Sequence, residues 1–158
     1  KFAAFTIIAK GDYPAELNIP LPFCLVSNDV SNNRLLVMPG YWFMYNMYAL
    51  ERNAWKYEDR DLRTEKIHHI EYEYLAPDTI NDMFDALAYF EKLKISKTGE
   101  AVVTDWENTN RPTVLIKVPQ ATAVYKEMIQ FYGCTQLLQH IEKNHFPDFD
   151  SFKKTLSA

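Results

Sequence analysis

The segment Arg52-Asn53-Ala54-Trp55-Lys56-Tyr57-Glu58-Asp59-Arg60-Asp61-Leu62-Arg63 carries the richest mixture of rings and fixed charges in this sequence. Arg52, Lys56 and Arg60 could hold a phosphate or carboxylate, while Tyr48 and Trp55 supply faces on which a sugar or base stacks. The competing reading is an ordinary helix end with solvated ion pairs, which contribute little. His68-His69 is the one histidine cluster. Adjacent imidazoles on an extended strand point to opposite faces and do not readily share a metal, so His68 stands as a single ligand-contact candidate. His140 and His145 do not align two ligands on one helix face, and charge complementarity at a helix end explains them as well. Asp59 and Asp61 without a phosphate context make a weak magnesium pair. Asp78, Asp82 and Asp85 read as a solvated helix face.

Other chemistries are excluded by pattern. The four glycines, at 11, 40, 99 and 133, fit neither phosphate-cradling loop, so no nucleotide cofactor held by such a loop is expected. No serine sits in G-x-S-x-G, which leaves a nucleophile-elbow hydrolase unsupported. Cys24 and Cys134 form no C-x-x-C pair and read as two buried free thiols. The expectation is therefore no metal, no cofactor, and no visible catalytic constellation; whether the chain is an enzyme stays open.

The elements that must position these residues follow from length and patterning. A chain of 158 residues is the usual size of one domain, and 15% aromatic content makes disorder a poor reading because rings supply the burial that folding requires. A net charge of -4 and a pI near 5.6 argue against a phosphate-backbone binder, so nucleic acid is not expected as a partner. The longest apolar run, Tyr41 to Leu50, is about half the ~20 residues that a membrane-spanning helix needs. With no leader pattern and no glycosylation acceptor, a cytoplasmic address is the default expectation. The start at Lys1, within a strand-like segment, suggests a fragment of a longer chain.

Residues 1–39 read as strand-rich and 40–158 as α-rich. Phe2–Ala9, Phe23–Ser27 and Leu35–Met38 are the strand candidates, with a hairpin connection between Asn28-Asp29 and Asn32-Asn33. The nearby prolines predict edge strands or irregular chain. Tyr41 to about Tyr57 is apolar on nearly every side and predicts a buried helix. Ile67–Leu75 predicts a strand. Pro77 and Asp78 open a helix to about Leu93, with Ile80, Met83, Phe84, Leu87, Phe90 and Leu93 facing inward. Ser96–Arg111 predicts a mobile loop around Trp106, with a short turn or strand at Ala101–Val103. From Gln120 to Lys143 the helical spacing of Ala121, Val124, Tyr125, Met128, Tyr132, Leu138 and Ile141 predicts two helices or one kinked at Gly133. Rings around Pro147 predict one more turn. The fold class expected is α+β, mostly α-helical: a few short N-terminal strands, then about four helices in a bundle.

The strings Leu21-Pro22-Phe23, Val37-Met38-Pro39-Gly40 and Tyr74-Leu75-Ala76-Pro77-Asp78-Thr79-Ile80, in this order and spacing, resemble the end region of a family of long bacterial proteins. In that family a left-handed β-helix, similar to hexapeptide-repeat acyltransferases and sugar nucleotidyltransferases, precedes an α-rich C-terminal region. The resemblance implies that this chain corresponds to the second region. It also implies an accessory role, capping the last β-helix coil or assembling subunits, with the rest of its own longer chain or a homo-oligomer as partner. Alternatively it implies part of an enzyme acting on a sugar nucleotide or an acylated sugar. No run of hexapeptide coils is present in these residues.

Overall fold

The structure, a computed structural model, describes residues 1–65, 67 and 72–156. Among the described residues five strands and five α-helices run in the order β1 (Ile7–Ile8), β2 (Leu25–Asp29), β3 (Arg34–Met38), α1 (Tyr41–Tyr45), α2 (Met47–Arg60), α3 (Pro77–Phe90), β4 (Ala101–Val103), β5 (Thr113–Leu115), α4 (Val118–Lys143) and α5 (Phe149–Leu156). The α+β class is as expected.

The hairpin forms where the turn residues placed it. Asp29 accepts from the Asn32 backbone N–H at 3.3 Å and from Arg34 Nε at 2.8 Å, and Asn33 takes the left-handed conformation (φ 48°) that asparagine tolerates. β2 and β3 then pair antiparallel from Leu25↔Met38 to Asp29↔Arg34. The sheet order is β1-β2-β3-β5-β4, so β2 and β3 lie inside the sheet, not at its edges as the prolines suggested. The reason is position: Pro14, Pro20 and Pro22 precede β2 and Pro39 follows β3, and none falls within a strand where it would remove a ladder donor. β5 pairs parallel with β3 and antiparallel with β4.

The stretch expected to be one buried helix is broken at Asn46 (φ -140°) into α1 and α2. Only Phe43 and Leu50 are fully withdrawn from solvent, while Tyr48 is 77% and Trp55 61% exposed. Glu51, Arg52, Asn53 and Glu58 interleave with the rings and keep α2 at the surface. α3 has Pro77 at its first turn, where a missing N–H costs nothing, and the Thr79 hydroxyl accepts from the Ala76 N–H at 3.0 Å. Its buried side is Ile80, Met83, Ala86 and Phe90; Phe84 faces out.

The segment expected to be a mobile loop is anchored. Trp106 is buried and stacks on Tyr89 with centroids 5.9 Å apart. Glu107 and Arg111 form a shielded ion pair, with Arg111 Nη2 donating to Glu107 Oε1 at 2.5 Å and Nη1 donating to Asn28 Oδ1 at 2.7 Å. The guanidinium holds the Glu107 carboxyl below the usual carboxylate range. Arg111 thereby ties the hairpin to the connection that leads into β5.

α4 is one continuous helix of 26 residues, neither divided nor ended at Gly133. Its first half closes the core. Tyr125 is wholly buried: its hydroxyl donates to Pro22 O at 2.5 Å and accepts from Gly40 N at 3.0 Å, and its ring stacks on Phe90. Gly40 sits at φ 65°, and a Cβ there would lie 2.9 Å from Val124 Cγ1, so both backbone angle and space call for glycine. The strand expected at Ile67–Leu75 lies partly outside the described residues; its described members, Ile67 and 72–75, are not in a strand.

Candidate functional site

The ring-and-charge segment forms the exposed side of α2 and its end. Asn53, Lys56, Tyr57, Arg60, Asp61 and Arg63 line a shallow, open recess of about 640 Å³. Lys56 and Arg60 therefore do meet, as successive turns of one helix require. Arg52 does not join them: its guanidinium lies over the Tyr48 ring, 5.8 Å from the centroid. Trp55 lines none of the described pockets, and His68 lies outside the described residues. Arg63 Nε donates to Asp61 Oδ1 at 2.6 Å and Nη2 to Oδ2 at 2.8 Å, so this carboxylate serves an arginine rather than pairing with Asp59 around a cation. Asp61 and the Tyr57 hydroxyl hold the Arg63 guanidinium ever more firmly charged.

The opposite side of α2 borders a deeper cleft. Glu51, Glu73, Tyr74 and Leu75 face Phe131, Tyr132, Thr135, Gln136 and Gln139 of α4 across about 370 Å³. The buried Tyr74 hydroxyl donates to Glu51 Oε1, and the Thr79 hydroxyl donates to Tyr74 O at 2.9 Å. Burial pushes the Tyr74 phenol well up, and the negative charges of Glu51 and Glu73 add to the effect, so it stays a protonated donor. Tyr74 thus fixes the Glu51 carboxylate at the rim of the cleft.

Sequence reasoning did not find this cleft, because its walls come from distant segments. One signal did exist. At about 100° per residue, Val118, Ala121, Tyr125, Met128 and Tyr132 form one line along α4, and that line continues as Thr135, Gln136 and Gln139. The inward face turns polar just where the cleft opens.

The apolar residues of the second half have moved round the helix. Phe131, Cys134, Leu137, Leu138 and Ile141 centre roughly 160° away from the inward line of the first half. All are exposed, Leu138 at 56%. Cys134 is therefore a solvent-facing thiol, and only Cys24 is buried as expected of both. α5 turns back beside this half of α4 through Phe146, which contacts the His140 ring, but leaves Phe149 and Leu156 exposed as well.

Of the acidic line on α3, Asp82 is half-buried; burial, then the charges of Asp78 and Asp85, push its carboxyl up. Among the described residues no group of three or more His, Cys, Asp or Glu is placed to hold a metal, and no helix is long and apolar enough to cross a membrane.

No protein-family model matches this chain, and no solved structure matches it. An uncharacterised protein of Treponema pallidum (strain Nichols) is 34% identical to it over 178 residues. That alignment takes in 95% of this chain and only 25% of the Treponema protein, so the chain spans about a quarter of its relative's length.

Proposed function

We propose that this chain is an assembly module of a longer polypeptide, and that its second-half α4 strip is the surface on which another part of that same polypeptide packs. The observation that carries the reading is the change of apolar face along one unbroken helix. Along its first half the stripe is spent on the domain's own core; along its second half an equally regular stripe at Phe131, Cys134, Leu138 and Ile141 faces solvent. A helix shows such a stripe when it has a second body to cover it.

The size of the strip favours a tethered partner. From Phe131 to Ile141 it is about 15 Å long and one helix wide, far below the roughly 800 Å² per side of a stable interface between separate chains. A segment of the same polypeptide enjoys an effective concentration near the millimolar range and needs no such area. The length of the Treponema relative supports a larger whole. A β-helix body, as the sequence resemblance implies, would be one such partner.

The test uses Cys134, which lies in the strip. Maleimide labelling of this thiol is expected to be fast in the isolated chain and at least tenfold slower in the full-length polypeptide, with Leu138→Glu restoring fast labelling. Equal rates in both settings would overturn the reading.

A further inference from the structure

We infer that the cleft between α2 and α4 binds a small hydroxylated amine, of the size and chemistry of an amino sugar. The site shares Phe131 with the apolar strip but does not depend on that strip being covered. Its argument starts from what the inward line of α4 does beyond Tyr132. A cleft meant to be closed by packing would be lined with Leu, Ile or Val; here Thr135, Gln136 and Gln139 project where the core side chains Tyr125 and Met128 project two and three turns earlier. Among the described residues neither glutamine hydrogen-bonds to the protein, while the Thr135 hydroxyl donates to Phe131 O at 2.9 Å. Each amide offers both a donor and an acceptor, which is the complement of a hydroxyl that must do both.

The facing wall supplies charge. Glu51 brings a carboxylate to the cleft and is held in place by the Tyr74 hydroxyl, which is buried and shielded from titration. A preset carboxylate costs less to bind than one that must be ordered, and it selects an ammonium group. Phe131, Tyr132 and Leu75 give the apolar surface on which the C–H face of a ring can lie. A preset carboxylate, two amides and a ring face within about 370 Å³ suit one or two sugar rings carrying an amine. Anionic ligands, including the phosphates of a sugar nucleotide, meet like charge here.

Calorimetric titration of the intact chain with glucosamine, N-acetylglucosamine and putrescine tests the proposal. Glucosamine is expected to bind, N-acetylglucosamine at least tenfold more weakly because its nitrogen is uncharged, and putrescine at least tenfold more weakly because it lacks hydroxyls. Glu51→Gln and the double variant Gln136→Ala/Gln139→Ala should each weaken glucosamine at least tenfold while leaving the thermal midpoint unchanged. The double variant alters exposed side chains only, so it keeps the test valid if Glu51→Gln shifts the midpoint. No glucosamine binding at millimolar concentration, equal binding of the acetylated sugar or of the diamine, or full affinity in the double variant would each overturn it.

Discussion

In its first half α4 lays Val118, Ala121, Tyr125 and Met128 into the core; in its second half Phe131, Cys134, Leu138 and Ile141 repeat the three-and-four spacing on the far face. Both halves satisfy the same periodicity rule. What separates them is phase: a stripe announces that a helix will be covered, and only its angle relative to the neighbouring stripe says whether the same body covers it. The two halves should therefore differ in every measurement that senses packing.

The largest difference is expected from side-chain truncation. Tyr125→Ala should destabilise the chain by about 3–5 kcal/mol, the usual cost of removing a buried ring. Tyr125→Phe keeps the ring but strands Pro22 O and Gly40 N–H in the core, for about 1–3 kcal/mol. Leu138→Ala, on the exposed stripe, should stay within about 0.5 kcal/mol. Urea unfolding midpoints at constant slope measure all three. A Leu138→Ala cost near that of Tyr125→Ala would mean that the distal stripe is already buried within this chain.

Two glycines sharpen the contrast at smaller magnitude. Gly40 packs against the first half of α4 at φ 65°, with Val124 in the way of any Cβ, so Gly40→Ala should lose on the order of 1–3 kcal/mol. Gly133 lies in the helix with nothing within 4 Å of where a Cβ would be, so Gly133→Ala should gain about 0.5–1 kcal/mol. Thermal midpoints moving in opposite directions would support one continuous helix with a solvated second half. A loss at Gly133 would break that description.

Local signals were legible and distant ones were not. α3 was readable because Pro77, Asp78 and the spacing of Ile80, Met83 and Phe90 are neighbours in sequence. The hairpin was readable from Asn and Asp at the turn. β5 escaped, since Thr113, Val114 and Leu115 are all buried and so show no alternation. α2 lies at the surface and not in the core because its tyrosines and tryptophan are amphipathic rings, often left at the surface with their polar ends in water. The same limits shaped the sites. Lys56 and Arg60 were found as neighbours because one helix carries both. Glu51, Gln136 and Gln139 come together only because α2 and α4 border one cleft, which nothing in their local sequence announces.

The smallest effect on stability, and the clearest in reactivity, belongs to the two thiols. Cys24 lies in the core, its Sγ 3.2 Å from Leu21 O, and burial pushes its thiol up from near 9 to about 12. The folded chain therefore favours the neutral thiol over the thiolate. Its contribution to stability is whole below the unfolded value near 9 and is lost as pH rises from there toward about 12, at up to about 1.4 kcal/mol per pH unit. Tyr125, raised by its burial and then by Cys24, contributes to the same alkaline loss. Cys134, exposed on the distal half, should react with a disulfide reagent at once at pH 8 and leave the unfolding midpoint within about 0.5 kcal/mol of its starting value. Cys24 should react only as fast as the core opens, because the reagent needs both access and a thiolate. Counting thiols against time thus gives one fast and one slow class, and Cys134→Ala removes the fast class alone while leaving the alkaline limb unchanged. Two slow thiols in the isolated chain would show the second half of α4 to be as well covered as the first, and the contrast between them would fall.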